Sequence, residues 1–498
     1  MSRLPDHPAP SESASSGSSN PRWLSAVALA LAAVAVGYAI HIRDGEYTPE
    51  ALKWISISLA LCAAGVALPR VPDPRRQGDR IIAVALGVAA AVQFYHLLTS
   101  PPGGWNWWSD DVRVVSARSL RFYYALVGVA GAVTLLIGLG ARRLRAACVP
   151  LLLAVHFVLG VWMIRASPAP HIDVFEFQQE GPAALLHGRN PYTTTFTDIY
   201  HGTAQEKDRE VYGQGMSEEG KLKFGFPYPP VSLYLATLGY AAAGDHRYAQ
   251  LGAMTLAGLF IAYCRPGRAA ALAAALLLFT PRGFFVLGRG WTEPFVVLML
   301  AATVFCACRN VRWGLAVALG LLFAVKQYMV FAAPLALLLV PPPWTVRSVL
   351  RLFIPAGVIA AVVSAPLALW DWHAFYHSAA TVQKVAPFRE DALSYLVWIY
   401  HQHGTKLPVG VAFAALGAGV ALALWRCPRD PAGFAAAVAM SYLPFIAFNK
   451  QAFANYYYFV IGALCCAVAA IPARQPELGD GGADSAPQAG RLNGEAPG

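Results

Sequence analysis

Apolar residues run through most of this 498-residue chain in long blocks, with polar residues collected between them. The blocks Trp23–Ile40, Trp54–Leu68, Ile81–Leu98, Phe122–Leu139 and Ala146–Ile164 have the length and hydropathy of helices that cross a bilayer core roughly 30 Å thick. Further apolar runs begin near Tyr228, Ala249, Ala269, Phe295, Gly314, Met329, Leu350, Leu393, Val409, Phe434 and Tyr457. Several are short or broken by proline, so the pattern predicts an all-α, polytopic transmembrane bundle of about 11 to 14 spans. Trp23–Ile40 is too long for a signal-peptide core and is followed by more spans, so it reads as a retained helix.

The longest polar interruption, Ser167–Phe226, contains HIDVFEFQQEGPAALLHGRNPY, residues His171 to Tyr192. Val174, Phe177, Gly181, Ala184 and Leu185 fall at helical spacing, with Glu176, Gln179, Glu180 and His187 on the opposite face. This is an amphipathic helix, stopped by Gly188 and by the proline of Asn190-Pro191. It is too short and polar to span, so it is expected to lie along the membrane interface. The chain then divides into a disordered tail (1–20), N-terminal transmembrane helices (21–166), a loop with the interfacial helix (167–227), a C-terminal transmembrane bundle (228–473) and a second disordered tail (474–498).

Charge refines this picture. Lys and Arg number 38 against 28 Asp and Glu, a basic balance that would suggest nucleic acid in a soluble chain. Here charged residues are only 13% of the chain, and the excess mainly reflects arginines in short loops, which hold topology; nucleic-acid binding is not expected. Arg70, Arg75, Arg76 and Arg80 follow the second span, and Arg142, Arg143 and Arg145 follow the fourth, which places both loops in the cytoplasm. The loop carrying Asp173 then faces outward. If both termini lie inside, the loops around Gly290, Trp372–Glu390 and Asn449–Asn455 share that side. The eight cysteines sit in or at the edges of apolar segments, and their spacing implies neither a disulfide framework nor a zinc site.

Asp173, at the first turn of the amphipathic helix, reads either as an N-cap or as a catalytic base held on a rigid element. The wider pattern bears on that choice. The run D-V-F-E-F…A-A-L-L-H-G-R-N-P-Y is followed by Y-P-P at Tyr228-Pro229-Pro230, G-R-G-W-T-E at Gly288–Glu293, F-A-V-K-Q-Y at Phe323–Tyr328 and N-K-Q-A-F-A-N-Y-Y-Y at Asn449–Tyr458. Taken in order, these segments resemble the GT-C superfamily of integral-membrane glycosyltransferases, and most of all the polyprenyl-phosphate-mannose-dependent mannosyltransferases of glycosyltransferase family 87. The resemblance covers roughly Ile164 to Ile471. One departure stands out: in the superfamily the key acidic residue usually sits in the first outer loop, whereas five spans precede Asp173 here. The rival carboxylates are Asp110 and Asp111 in W-N-W-W-S-D-D-V-R, whose loop lacks the G-x-N-P-Y sequel.

The resemblance implies an enzyme of the plasma membrane that moves a hexose, mannose first, from a polyprenyl-phosphate donor to a hydroxyl of a glycolipid or glycan acceptor, on the outer face and with inversion. One carboxylate within reach of the acceptor hydroxyl suffices for such a transfer, and Asp173 is that candidate. A leaving lipid phosphate needs fixed cations. Lys326, a charge inside an apolar run, is a functional candidate by default, joined by Arg189, Lys450 and Arg289 and more weakly by Lys384 and Arg389. Aromatic and amide side chains suit a sugar: Asn190, Tyr192, Tyr228, Trp291, Gln327, Tyr328, Asn455 and Tyr456, with Glu176 and Glu293 for hydroxyls. Glu293 can equally pair with Arg289, and His171 can tune Asp173. No metal-ligand spacing occurs and no cofactor is expected. The alternatives are a polytopic transporter or lipid flippase, which calls for repeated halves and ionisable residues at the midplane, and a ligase or polymerase that uses lipid diphosphates.

Overall fold

A computed structural model describes residues 22–68, 77–102, 117–203, 211–340 and 342–472. The two tails, Arg70, Arg75, Arg76 and the Trp-rich loop with Asp110 and Asp111 lie outside the described residues.

Among those residues the architecture is helical apart from one small hairpin. The first five helices are α1 (Trp23–Ile42), α2 (Pro49–Ala67), α3 (Gly78–Thr99), α4 (Ala117–Leu139) and α5 (Arg142–Ala166). Each overlaps a block read from hydropathy, and all five are long and apolar enough to cross a membrane, as is Val346–Trp370. Shorter apolar helices follow at Arg268–Leu278, Glu293–Cys308, Arg312–Val325, Gly410–Arg426, Pro431–Ala447 and Ala454–Ala470.

Helix starts follow ordinary chemistry. Thr48 caps α2 by accepting from the Ala51 N–H at 3.0 Å, with Pro49 at the first helical position, where its missing N–H costs nothing. Helix α1 is rich in alanine and buried on most sides, and the small side chains let it pack closely against α2, α3 and Ala454–Ala470. Ser58 of α2 donates to the Ala32 carbonyl of α1 at 2.9 Å. Helix Val346–Trp370 stands at the periphery, with Val346, Val362 and Leu369 exposed along it.

Two departures from the hydropathy reading shape the site. The run that continues past Val325 does not stay α-helical: Lys326 is extended (φ −153°, ψ 145°), and the chain resumes as 3₁₀ turns Gln327–Ala332 and Pro334–Leu339. Irregular backbone at such a depth is tolerated where it lines a cavity. The second departure lies in the loop after α5. Helix α6 (Asp173–Leu186) is followed by an antiparallel hairpin, Ser217–Glu218 with Lys221–Leu222, whose turn residues Glu219 and Gly220 both have positive φ. Phe177, Tyr192, Phe196, Leu222, Phe224, Phe226 and Leu233 pack into an aromatic core of their own. This loop is a small folded layer resting on the bundle.

Candidate functional site

Helix α6 ends at Leu186, with Gly188 left-handed just beyond (φ 69°), as the sequence predicts. Its buried surface is wider than the expected stripe. Phe177 and Gly181 face the aromatic core of the loop, while Phe175 packs against His246 and the buried Gln178 donates to the Gly290 carbonyl. Gln179, expected on the polar face, donates to the Gly244 carbonyl at 2.6 Å and holds the His246 ring at 3.0 Å. The helix is therefore locked to two turns of the bundle and oriented by them.

Asp173 does not occupy the N-cap. That position belongs to Ile172, and the Asp173 carboxylate accepts from the next N–H, Val174, at 2.8 Å. It retains the favourable placement at the positive end of the helix dipole. The Asp173 N–H donates to the Tyr200 hydroxyl at 3.4 Å. Asp173 is half-buried, and the protein packed around it pushes its carboxyl above the usual aspartate range, an effect that the Val174 N–H, the Arg389 charge and Tyr212 partly offset.

Asp173 opens into a cavity of about 720 Å³. Segments remote in sequence line it: Asp44 and Glu46 from the α1–α2 loop, Arg289 and Trp291 after Gly288, Lys326, Gln327 and Tyr328 at the helix break, Gln383 to Arg389, and Asn449 to Tyr456. The loops expected to share a side with Asp173 thus meet at one end of the bundle. Three of the lining segments are stitched together: the Tyr47 N–H donates to the Asp391 carbonyl at 2.9 Å, the Arg389 N–H to the Lys450 carbonyl at 3.1 Å and the Leu393 N–H to the Ala452 carbonyl at 2.8 Å. Another wall is apolar, made by Phe331, Val409, Phe413, Phe445 and Ile446.

The cavity's cations differ in how far they are neutralised. Lys326 is buried and forms an ion pair with the fully buried Glu293, donates to Thr292 Oγ1 at 2.7 Å, and sits over the rings of Tyr228, Tyr328 and Tyr456 at 5.1, 5.6 and 5.2 Å. Glu293 therefore pairs with Lys326 and not with Arg289. Arg389 is held by Asp391 through two contacts of 3.0 and 2.8 Å. Arg289 is 7% exposed, stacks over Phe285 and reaches the His171 carbonyl at 3.5 Å; among the described residues it has no carboxylate at ion-pair distance. Lys450 donates to the Ala386 carbonyl, and Lys384 to the Tyr376 hydroxyl at 2.9 Å.

Of the residues singled out from the sequence, His171, Asp173, Tyr228, Arg289, Trp291, Lys326, Gln327, Tyr328, Lys384, Arg389, Lys450, Asn455 and Tyr456 line this cavity. Asn455 Oδ1 is buried there with no hydrogen-bond partner among the described residues. Arg189, Glu176, Asn190 and Tyr192 are not among its lining residues. Arg189 is exposed beyond the end of α6. Asn190 folds the turn, its Oδ1 accepting from the Tyr192 N–H at 3.0 Å, and the buried Tyr192 donates its hydroxyl to the Tyr228 carbonyl at 2.8 Å. The Asn190 and Tyr192 side chains of the G-R-N-P-Y sequel thus anchor the loop against the irregular segment leading into Pro230–Ala243. Glu293 stands behind Lys326.

Asp44, Glu46, Tyr200 and Tyr212 are among the lining residues that escaped the sequence reading. Asp44 and Glu46 lie in the α1–α2 loop, which alternation of the spans puts on the same side as the Asp173 loop, a signal that the sequence analysis did not use. Tyr200 and Tyr212 come from the irregular part of the outer loop, where no periodicity points to either.

No known family profile matches this chain, and no curated protein matches it. Among solved structures, the crystal structure of ArnT from Cupriavidus metallidurans bound to undecaprenyl phosphate aligns at 14% identity and a TM-score of 0.40, over 66% of this chain and 60% of that one. The chain spans less than two thirds of the length of that protein.

Proposed function

We propose that this chain is a membrane glycosyltransferase of GT-C type that moves a hexose, mannose first, from a polyprenyl-phosphate donor to a hydroxyl of a glycolipid or glycan acceptor at the outer face of the plasma membrane. The observation that carries the reading is the convergence on one cavity of a carboxylate, Asp173, of Arg289, Lys384 and Lys450, which among the described residues have no carboxylate at ion-pair distance, and of an apolar wall. Each matches one part of the chemistry: proton removal from the attacking hydroxyl, stabilisation of the departing phosphate, and accommodation of an isoprenoid tail. Asp173 serves as the base of a single inverting displacement. Tyr228, Trp291, Gln327, Tyr328, Asn455 and Tyr456 contact the sugars, and Lys326, clamped by Glu293, offers its ammonium to a donor oxygen. Asn190 and Tyr192 support the loop around that site. The reaction draws its positive charge from side chains, and a single phosphate leaves less charge to neutralise than a diphosphate, so no metal is required.

The test compares membranes containing wild type or Asp173→Asn at matched levels for transfer of labelled mannose from polyprenyl-phosphate mannose to endogenous acceptors. Transfer by the wild type and its loss in a folded variant supports both the reaction class and the base. Transfer that survives the substitution removes Asp173 from the mechanism and brings forward Asp110 and Asp111. A wild type inactive with every lipid-phosphate sugar tried overturns the reading.

A further inference from the structure

The end of the bundle away from the cavity gathers charge of a single sign. Helix Arg268–Leu278 begins there, and beyond its far end Arg282 pairs with Asp44 of the cavity wall. The helix packs against α3, α4, α5 and Arg247–Cys264. Leu272, one turn in from Arg268, lies 4.0 Å from where a Cβ on Gly138 of α4 would stand. Two residues after Gly138, the Gly140 carbonyl accepts from Arg145 Nη1 at 2.8 Å. Helix α4 runs toward this end and Arg268–Leu278 runs away from it, so Arg268 stands level with the α4–α5 turn and with Arg142, Arg143 and Arg145. Among the described residues none of these four arginines has a carboxylate at ion-pair distance, and Arg268 Nε is buried with no hydrogen-bond partner. The acidic residues described at this end are Asp79, in the first turn of α3, and Asp430, which Arg22 occupies at 2.6 Å. Beside the arginines, Leu135, Leu136, Leu139 and Leu144 are exposed.

We propose that Arg142, Arg143, Arg145 and Arg268 bind the headgroup of an anionic phospholipid in the leaflet opposite the cavity, the side that the arginine distribution marks as cytoplasmic. Like charges held together repel, and a buried guanidinium N–H without an acceptor is unfavourable, so an anion from outside the chain relieves both. A phosphodiester suits planar guanidinium donors. The exposed leucines decide between a lipid and a free anion, because acyl chains can lie against them while the phosphate sits among the arginines. Arginines that only set topology would attract any negative surface alike, whereas a built site depends on particular side chains.

Native mass spectrometry of the full-length protein in detergent, titrated with dioleoyl phosphatidylglycerol or dioleoyl phosphatidylcholine, tests this. The two lipids share their chains, so a difference in affinity reports on the headgroup. Wild type should hold phosphatidylglycerol about tenfold more tightly or better. Arg145→Gln and Arg268→Gln should each weaken that binding about fivefold, and the double variant about 30-fold, with phosphatidylcholine unchanged. Arg268→Lys keeps the charge without the planar fork and should fall between wild type and Arg268→Gln. The control is Arg312→Gln with Arg347→Gln, which removes the same charge from two other helix starts at this end and should leave the wild-type affinity. Thermal midpoints in detergent alone identify the variants that fold. Equal affinity for the two lipids, or an equal loss in the control, overturns the site. Displacement of phosphatidylglycerol by millimolar inorganic phosphate would assign the cluster to a free anion and overturn the lipid. No sugar enters the readout, so failure here leaves the glycosyltransferase reading where it stands.

Discussion

Glu293 and Lys326 form an ion pair shut off from solvent, the glutamate at the first turn of Glu293–Cys308 and the lysine at the point where the run after Arg312 stops being helical. The two positions depend on each other. Removing one partner strands a buried charge, which costs about 3–5 kcal/mol, whereas replacing both with groups of similar size costs much less. Lys326→Met and Glu293→Gln should each lower the thermal midpoint of the purified protein sharply, and the double substitution should recover much of the loss. A double variant as unstable as the sum of the singles would show that the pair contributes no coupling.

Arg289 makes the contrasting case. Its guanidinium is buried, yet its contacts are a ring face and one carbonyl, with Asp44 and Glu46 acting on it only through longer-range attraction. A cation so placed is available to an anion that arrives. Arg289→Ala should lower kcat/KM for a lipid-phosphate donor by roughly 100-fold, and Arg289→Lys, which keeps the charge but loses the planar fork, should fall between. Steady-state kinetics with varied donor decides this; an unchanged kcat/KM would free Arg289 of any phosphate role.

Much of this was legible in the sequence, for reasons that particular residues make clear. Trp23 to Ile42 could be read from hydropathy alone because a membrane helix must be apolar along its whole length. The end of α6 could be read because Gly188 adopts a left-handed conformation that few other residues accept. The break at Lys326 could not, since Phe323 to Ala333 is apolar apart from Lys326 and Gln327 and a 3₁₀ turn has no distinct hydropathy pattern. The motif G-R-N-P-Y, read as donor and sugar contacts, does not line the cavity: Asn190 and Tyr192 turn inward to hold the loop, and Arg189 is exposed. Asp44, Glu46, Tyr200 and Tyr212 reach the cavity through tertiary packing, which spacing along the chain does not encode.

The turn carrying Arg289 yields another prediction. Gln178 of α6 and Gln250 of Arg247–Cys264 both donate to the Gly290 carbonyl, the latter at 2.9 Å, so one peptide ties the helix of Asp173 to the segment of Arg289 and Trp291. Gly290 has φ 72°, and a Cβ there would stand 2.7 Å from His246 Nε2. Gly290→Ala adds left-handed strain to a clash with a buried ring, together about 1–3 kcal/mol. The variant should show a lower thermal midpoint and, in whatever fraction remains folded, weaker donor binding. Gln250→Ala leaves Gln178 as a donor to the same carbonyl and should be milder on both counts. A Gly290→Ala protein with wild-type stability and kinetics would break the link between turn and site.

The raised proton affinity of Asp173 has opposite consequences for activity and for stability. Burial is the main cause, opposed by the Val174 N–H and by Arg389. A base must be ionised to accept a proton, so transfer falls as pH drops through the folded-state pKa, and the acid limb of kcat/KM lies above the roughly 3.9 of a free aspartate. For stability the folded state binds the proton more tightly than the unfolded chain does. Stability therefore declines as pH rises from about 3.9 through the folded pKa, and the whole cost is present above it. Asp173→Asn removes the charge while its amide oxygen can still accept from the Val174 N–H, so its thermal midpoint at pH 7 should be equal to or above that of wild type while transfer is lost. A fall in both would mean that the ionised carboxylate holds the loop in place, and that loss of activity in this variant reports on folding and not on proton transfer.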